Sequence, residues 1–182
     1  MKRLIAIILL IQIPFFCALS EEDDNFQLTS ATTTPKVLNF IKESYIDLSR
    51  AKPFEMVRGA LNQIQKNVAE ILVTFDGGNK FSITIDKAVK KFSPKEQFEF
   101  KDIWPLLSDI YTFIEVHYHG DVKKQDIEFI AIDGILATLD PHSNILPPKV
   151  YNEFKIGTKG KFGGIGIVIG TKDGDLTVIS PI

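Results

Sequence analysis

Two clusters in this chain bring together residue types and spacings that could do chemistry. The first is Leu139-Asp140-Pro141-His142-Ser143, followed by Asn144-Ile145-Leu146-Pro147-Pro148. Aspartate, histidine and serine side by side invite a hydrolase triad. Within one proline turn, however, an imidazole cannot sit between a carboxylate and a hydroxyl without an unusual backbone, and catalytic triads usually gather from distant segments. The cluster reads instead as a turn in which Asp140 and Ser143 bond backbone groups where a helix stops. The second cluster is Lys161-Phe162-Gly163-Gly164-Ile165-Gly166-Ile167-Val168-Ile169-Gly170. A glycine-rich loop that wraps phosphate needs a strand before it and a helix after it. Here a strand follows: Ile165, Ile167 and Ile169 alternate with Gly166, Val168 and Gly170, and Lys172-Asp173-Gly174 turns back into Leu176-Thr177-Val178-Ile179. Loop then strand suits peptide capture, with bare N–H groups for a chain-terminal carboxylate and a strand edge for the residues behind it. Gly164, Ile165, Gly166 and Ile167 are therefore the candidate peptide-binding residues. Taken alone, the run also fits a glycine-rich turn in an ordinary barrel.

Other polar groups read as structural. His117 and His119 are two apart near a helix end, a spacing that sends helical side chains to different faces and disfavours a shared metal. Glu96, Glu99 and Asp102, with Lys95 and Lys101, read as a solvated face. Cys17 is the one cysteine in the sequence, which leaves no thiolate metal site and no disulfide partner. No cofactor and no metal are expected. The formal net charge of −2 and the lack of a basic patch exclude nucleic acid as a natural partner.

The elements that must position these clusters follow from periodicity, in a chain whose 45% hydrophobic and 24% charged residues are ordinary globular usage. Residues 1–20 have the layout of a secretory signal peptide: Lys2 and Arg3, then an apolar run at 4–16, then Ala18-Leu19-Ser20 before Glu21. A membrane span needs roughly 20 apolar residues, so an uncleaved anchor is the poorer reading. Phe15-Phe16 are too bulky for lipid attachment at Cys17. The implied location is exported, periplasmic or secreted, with membrane association through that segment alone. Residues 21–34, acidic then Thr-rich, read as a flexible leader.

A helical region is expected over 35–150. Val37, Leu38, Phe40, Ile41 and Tyr45 form a stripe over 36–48. A second helix starts near Pro53, where a missing N–H does no harm, and Phe54, Val57, Leu61, Ile64, Val68 and Ile71 make its buried seam. Asp76-Gly77-Gly78-Asn79 predicts a hairpin of 72–75 and 80–85, with a third strand at 89–92. Asp102 is an N-cap candidate for a helix with Leu106, Leu107, Ile110, Tyr111 and Ile114 inward. A last helix runs over 124–139, with Ile127, Ile130, Ala131, Gly134, Ile135, Thr138 and Leu139 on one face. A faint repeat relates Phe40-Ile41 and Tyr45 to Phe113-Ile114 and Tyr118, and Gly59 and Leu61 to Gly134 and Leu136. It reads as an old duplication or as the ordinary likeness of amphipathic helices. The glycines read as close-packing points between crossing helices.

Leu139-Asp140-Pro141-His142-Ser143, the run Gly160-Lys161-Phe162-Gly163-Gly164-Ile165-Gly166-Ile167 and the hairpin ending Val178-Ile179-Ser180-Pro181-Ile182 together resemble the carboxyl-terminal processing, or tail-specific, serine proteases. The resemblance is strong over 113–182 and looser from Pro35. It implies a helical N-terminal region, then an incomplete PDZ-like β domain over 151–182 that binds hydrophobic C-terminal tails of protein substrates; with the hairpin read at 76–85, which is not a general feature of that family, the chain is α+β. It places the carboxylate-binding loop at Gly164 to Ile167. The family's catalytic serine and lysine match no residue here, so no catalytic residue is assigned. The chain is expected to be an N-terminal fragment, with the rest of the β domain and the protease core encoded further along. Two readings from other classes remain at this point: an exported, non-catalytic peptide-binding adaptor, and a helical interaction protein that forms a homo-oligomer through its N-terminal helices, with 54–71 as the seam.

Overall fold

The computed structural model describes residues 26–159, 166–172 and 174–181, and its architecture is α+β. Helix α1 (Thr33–Ser44) is preceded by a 3-10 turn, Leu28–Ser30, and followed by another, Leu48–Arg50. Pro53 opens α2 (Pro53–Asn67) at its first position, as its lost N–H allows. Strands β1 (Ile71–Phe75), β2 (Phe81–Ile85) and β3 (Ala88–Phe92) form an antiparallel sheet in that order. Helix α3 (Ile103–His117) and helix α4 (Lys124–Ala137) complete the body. Helix α5 (Pro148–Lys159) and the hairpin of β4 (Ile167–Lys172) and β5 (Asp175–Pro181) follow.

One core joins the helices and the three-stranded sheet. Val57, Leu61, Ile64, Ile83, Ile110, Ile114, Ile127 and Ile135 are all fully buried within it. Each such side chain contributes about 1.5–3 kcal/mol on leaving water. The sheet joins through its inward row, Ile71, Val73, Phe81, Ile83 and Ile85, while Leu72 and Thr74 alternate outward. Phe54 of α2 ties helix to sheet, its ring 6.3 Å from Phe81 and 5.7 Å from Phe98. Offset stacking of Phe81 on Phe92 at 4.9 Å extends the cluster to β3.

The closest helix crossing is that of α2 and α4, and it depends on two glycines. A Cβ placed on Gly134 would lie 2.8 Å from the Gln63 Cβ and meet the Gly59 backbone, and one on Gly59 would lie 2.5 Å from the Thr138 methyl. The close-packing role expected of these glycines is what the fold shows. The seam at 54–71, read as one between copies, is filled from within the chain: Phe54, Val57, Leu61, Ile64, Val68 and Ile71 are all buried in its own core.

Three further expectations are corrected. Phe40, placed in the α1 stripe, is 68% exposed, because α1 starts and ends earlier than predicted and its inward face is Thr34, Leu38 and Ile41. In the stretch read as a flexible leader, residues 26–34 are packed, with Leu28 and Thr34 buried. The Leu28 N–H donates to Glu115 Oε2 at 2.7 Å, and the Thr34 N–H to Glu128 Oε1 at 2.8 Å. Both carboxylates come from helices far along the chain, so no local pattern announces the anchorage. Finally, Asp102 does not cap α3 with its side chain; its carboxylate accepts the Glu99 N–H at 2.8 Å and pairs with Lys95 at 2.9 Å, closing the 3-10 turn Phe100–Asp102 instead.

Candidate peptide-binding site

Of the four residues predicted to hold a peptide, Gly164 and Ile165 lie outside the described residues. Gly166 adopts φ +70°, the left-handed conformation that glycine reaches without strain, and Ile167 begins β4 directly after it. Among the described residues nothing lies within 4 Å of where a Gly166 Cβ would stand. Among the described residues β4 pairs on one side only, with β5, from Ile167 opposite Pro181 to Lys172 opposite Asp175. Between Val168 and Ile169 the register shifts by one, which leaves Ile179 as the extra residue of a bulge and increases the local twist. Val168, Ile169, Leu176, Val178 and Ile179 are all exposed. A sharp glycine turn, a strand with one unpaired edge and an apolar surface beside it can receive an extended chain by strand addition.

Helix α5, which leads to this hairpin, was not anticipated, and the predicted start of the β domain at residue 151 falls inside it. None of its residues is buried, and Val150, Tyr151, Phe154 and Ile156 are exposed. Its spacing was legible: Val150, Phe154 and Thr158 recur every four residues, and Pro148 stands at the helix start that proline favours. The neighbouring glycines drew the sequence reading toward a β domain.

The Asp140 cluster is a structural knot: Asp140 bonds backbone groups as predicted, whereas the Ser143 hydroxyl bonds the Asp140 carboxylate and not the backbone. Asp140 Oδ1 accepts the His142 and Ser143 N–H groups, both at 2.8 Å. Its Oδ2 accepts the Ser143 hydroxyl at 2.7 Å and the Tyr45 hydroxyl at 2.8 Å. The Ser143 hydroxyl, with the Tyr45 hydroxyl and the His142 N–H, holds the Asp140 carboxyl well below the usual carboxylate range. Asp140 in turn raises the Tyr45 phenol. His142 contributes its backbone N–H to this carboxylate, and the Ser143 hydroxyl donates a hydrogen bond to it. No imidazole stands between serine and aspartate, as a triad would need. The knot fixes the end of α4 against the residue that ends α1.

The other histidines are separate. His117 packs its ring 4.6 Å from that of Phe113. His119 lines an open cavity of about 980 Å³ with Phe26, Glu115, Asp126 and Phe129, and neither Gly166 nor Ile167 lines it. Among the described residues no group of three histidine, cysteine, aspartate or glutamate side chains could hold a metal ion. Sequence reasoning missed the buried Glu128, 1% exposed, and its partners. Thr34 donates both its N–H and its hydroxyl to Glu128, while the Tyr111 hydroxyl lies 3.1 Å from the Thr34 hydroxyl. A carboxylate flanked by Ile127 and Phe129 was the available signal.

In class, the chain is similar to the carboxy-terminal processing proteases. A carboxy-terminal-processing protease of Bartonella bacilliformis is 32% identical over 87 residues, covering 48% of this chain and 20% of the relative. The carboxy-terminal processing protease CtpB of Bacillus subtilis is 32% identical over 72 residues, covering 39% of this chain and 15% of the relative. A probable CtpA-like serine protease of Staphylococcus saprophyticus is 26% identical over 83 residues, covering 45% and 17%. The matched stretches thus span a fifth or less of each relative's length. No family model matches the chain, and no solved structure matches it at a significant level.

Proposed function

We propose that this chain supplies the N-terminal, substrate-gripping part of an exported carboxy-terminal processing serine endopeptidase. One observation carries the reading: a chain similar to three such proteases presents a left-handed glycine, Gly166, immediately before a strand that pairs on one side only among the described residues. In this reading the free carboxylate of a protein tail accepts N–H bonds from the Gly164–Ile167 backbone. The tail then adds as a strand beside β4, and an apolar pocket completed by further strands selects its last side chain. Cleavage in this reading falls to a serine with a lysine as general base, and no residue of this chain is assigned to either role. Export rests on the signal-peptide layout of residues 1–20. Among the described residues no helix is long and apolar enough to cross a membrane.

The test is binding and cleavage of a labelled peptide with an apolar free C-terminus by the protein expressed whole from its gene. The free-acid peptide should bind at least about tenfold more tightly than its amide, roughly 1.4 kcal/mol. Gly166→Val, strained at φ +70°, should abolish that preference. Equal binding of acid and amide would end the reading. Binding without cleavage would leave the site and transfer the protein to the adaptor class.

A further inference from the structure

Among the described residues the three-stranded sheet has two edges, β1 and β3, and they are defended differently. Edge strand β3 carries Lys90 and Lys91, charges that discourage another strand from pairing. Edge strand β1 reads Ile71-Leu72-Val73-Thr74-Phe75, with no charge and no proline, the composition most open to strand addition. The direction of its free groups follows from the hairpin. The Asp76 N–H donates to the Lys80 carbonyl at 3.0 Å, so that pair is hydrogen-bonded, as are Thr74 with Ser82 and Leu72 with Thr84 two and four residues back. Ile71, Val73 and Phe75 therefore aim their backbone groups away from β2. Two of those three outward N–H groups are already taken. Ile71 donates to the Val68 carbonyl at 3.1 Å, and Val73, the centre of the strand, donates to Gln65 Oε1 at 2.5 Å.

We infer that Gln65 is an edge guard, whose side-chain carbonyl holds the central outward N–H of β1 and so prevents this strand from pairing with β1 of a second copy of the chain. A second copy is the natural intruder because the edge is self-complementary. In an antiparallel pair centred on Val73, Val73 faces Val73 of the copy and exchanges two hydrogen bonds with it, while Ile71 faces Phe75. That central exchange needs the N–H that Gln65 occupies. The side chain reaches β1 from the last turn of α2, the helix covering the sheet, so the guard is in place whenever the helix is. It acts where β1 has no charge of its own.

Sedimentation of the full chain tests the guard. Gln65→Ala should raise the weight-average mass with concentration, toward about twice that of the wild type, by exposing the edge. Gln65→Glu, which keeps an acceptor, should track the wild type. Adding Thr74→Lys to Gln65→Ala should bring the mass back, as a lysine on an edge strand does. Unchanged mass for Gln65→Ala, or association that Thr74→Lys leaves in place, overturns the inference. Should Gln65→Ala fail to fold, amide exchange in the wild type decides. A Val73 amide protected like its Thr74 neighbour supports the guard, and one exchanging as fast as Gly77 in the turn refutes it.

Discussion

The body's three-stranded sheet and the β4–β5 hairpin are written in similar alternations of apolar and polar residues, yet they handle that apolar surface in opposite ways. In the sheet, Ile71, Phe81 and Ile83 are buried to within 1% of full burial. In the hairpin, Leu176 is 77% exposed and Ile179 67%. The body's strands face a helix that covers them; the hairpin's strands face nothing among the described residues. Alternation thus says that a strand forms, and says nothing of what lies over it. A two-stranded ribbon with both faces open is marginal by itself, whereas the body contains its own core. The difference separates a unit that is held together by packing from a segment whose apolar surface is uncovered among the described residues.

The largest effect should come from the tightest point of the body. Gly134→Val forces a branched side chain against Gln63 and the Gly59 backbone, where no flexible end can yield. We expect a loss of about 3 kcal/mol in unfolding free energy, at the upper end of overpacking costs, read by urea denaturation followed by circular dichroism. Gly170→Val, in the hairpin, should leave the body's midpoint where it was. Equal shifts for the two variants would mean that the regions unfold as one, and the contrast between them would be gone.

Where the sequence was legible, a dense local period marked the element. The seam of α2 and the outward–inward alternation of β2 needed only spacing, and Asp76-Gly77-Gly78-Asn79 located the hairpin. Gly59 and Gly134 were legible as packing points because glycine inside a helix otherwise costs stability. What escaped was long-range. Residues 26–34 look like a leader because their anchors, Glu115 and Glu128, are 87 and 94 residues away from the groups they hold. Phe40 looks like core because a stripe counted from the wrong first residue turns the helix to another face. At the candidate site, the loop-then-strand order was readable, and with it Gly166; helix α5 was lost between a proline-rich turn and a glycine run.

A middle-sized effect should mark the anchorage that the sequence hid. Thr34→Val keeps the shape of the side chain and removes the hydroxyl that bonds Glu128 Oε1 at 3.0 Å and Tyr111 at 3.1 Å. The Tyr111 hydroxyl, fully buried, then loses its partner. Burial already pushes that phenol far above its ordinary value, so it cannot recover the loss by ionising. About 1–2 kcal/mol of stability should disappear in the same denaturation assay. An unchanged midpoint would show that residues 26–34 lie against the body without holding it, and the boundary between body and leader would move to α1.

The smallest effect is one of pH, and it concerns the knot that ends the body. Asp140 has its carboxyl depressed in the fold by Ser143, Tyr45 and the His142 N–H. A depressed carboxyl favours the folded state while it is ionised. Its contribution is therefore complete above the ordinary value of 3.8 and is lost as pH falls below it. Asp140→Asn keeps an acceptor for the two N–H groups but carries no charge to lose. The variant should be less stable than the wild type at about pH 7, with the gap narrowing progressively as the pH falls below the ordinary value of 3.8. Tyr45→Phe should remove part of the same pH-dependent gap, because Tyr45 is the partner that reaches the carboxylate from α1. If the gap between wild type and Asp140→Asn stays constant as the pH falls, the knot holds by its geometry alone. Charge would then play no part in fastening α4 to α1, and the body would owe its closure entirely to the packing that the hairpin lacks.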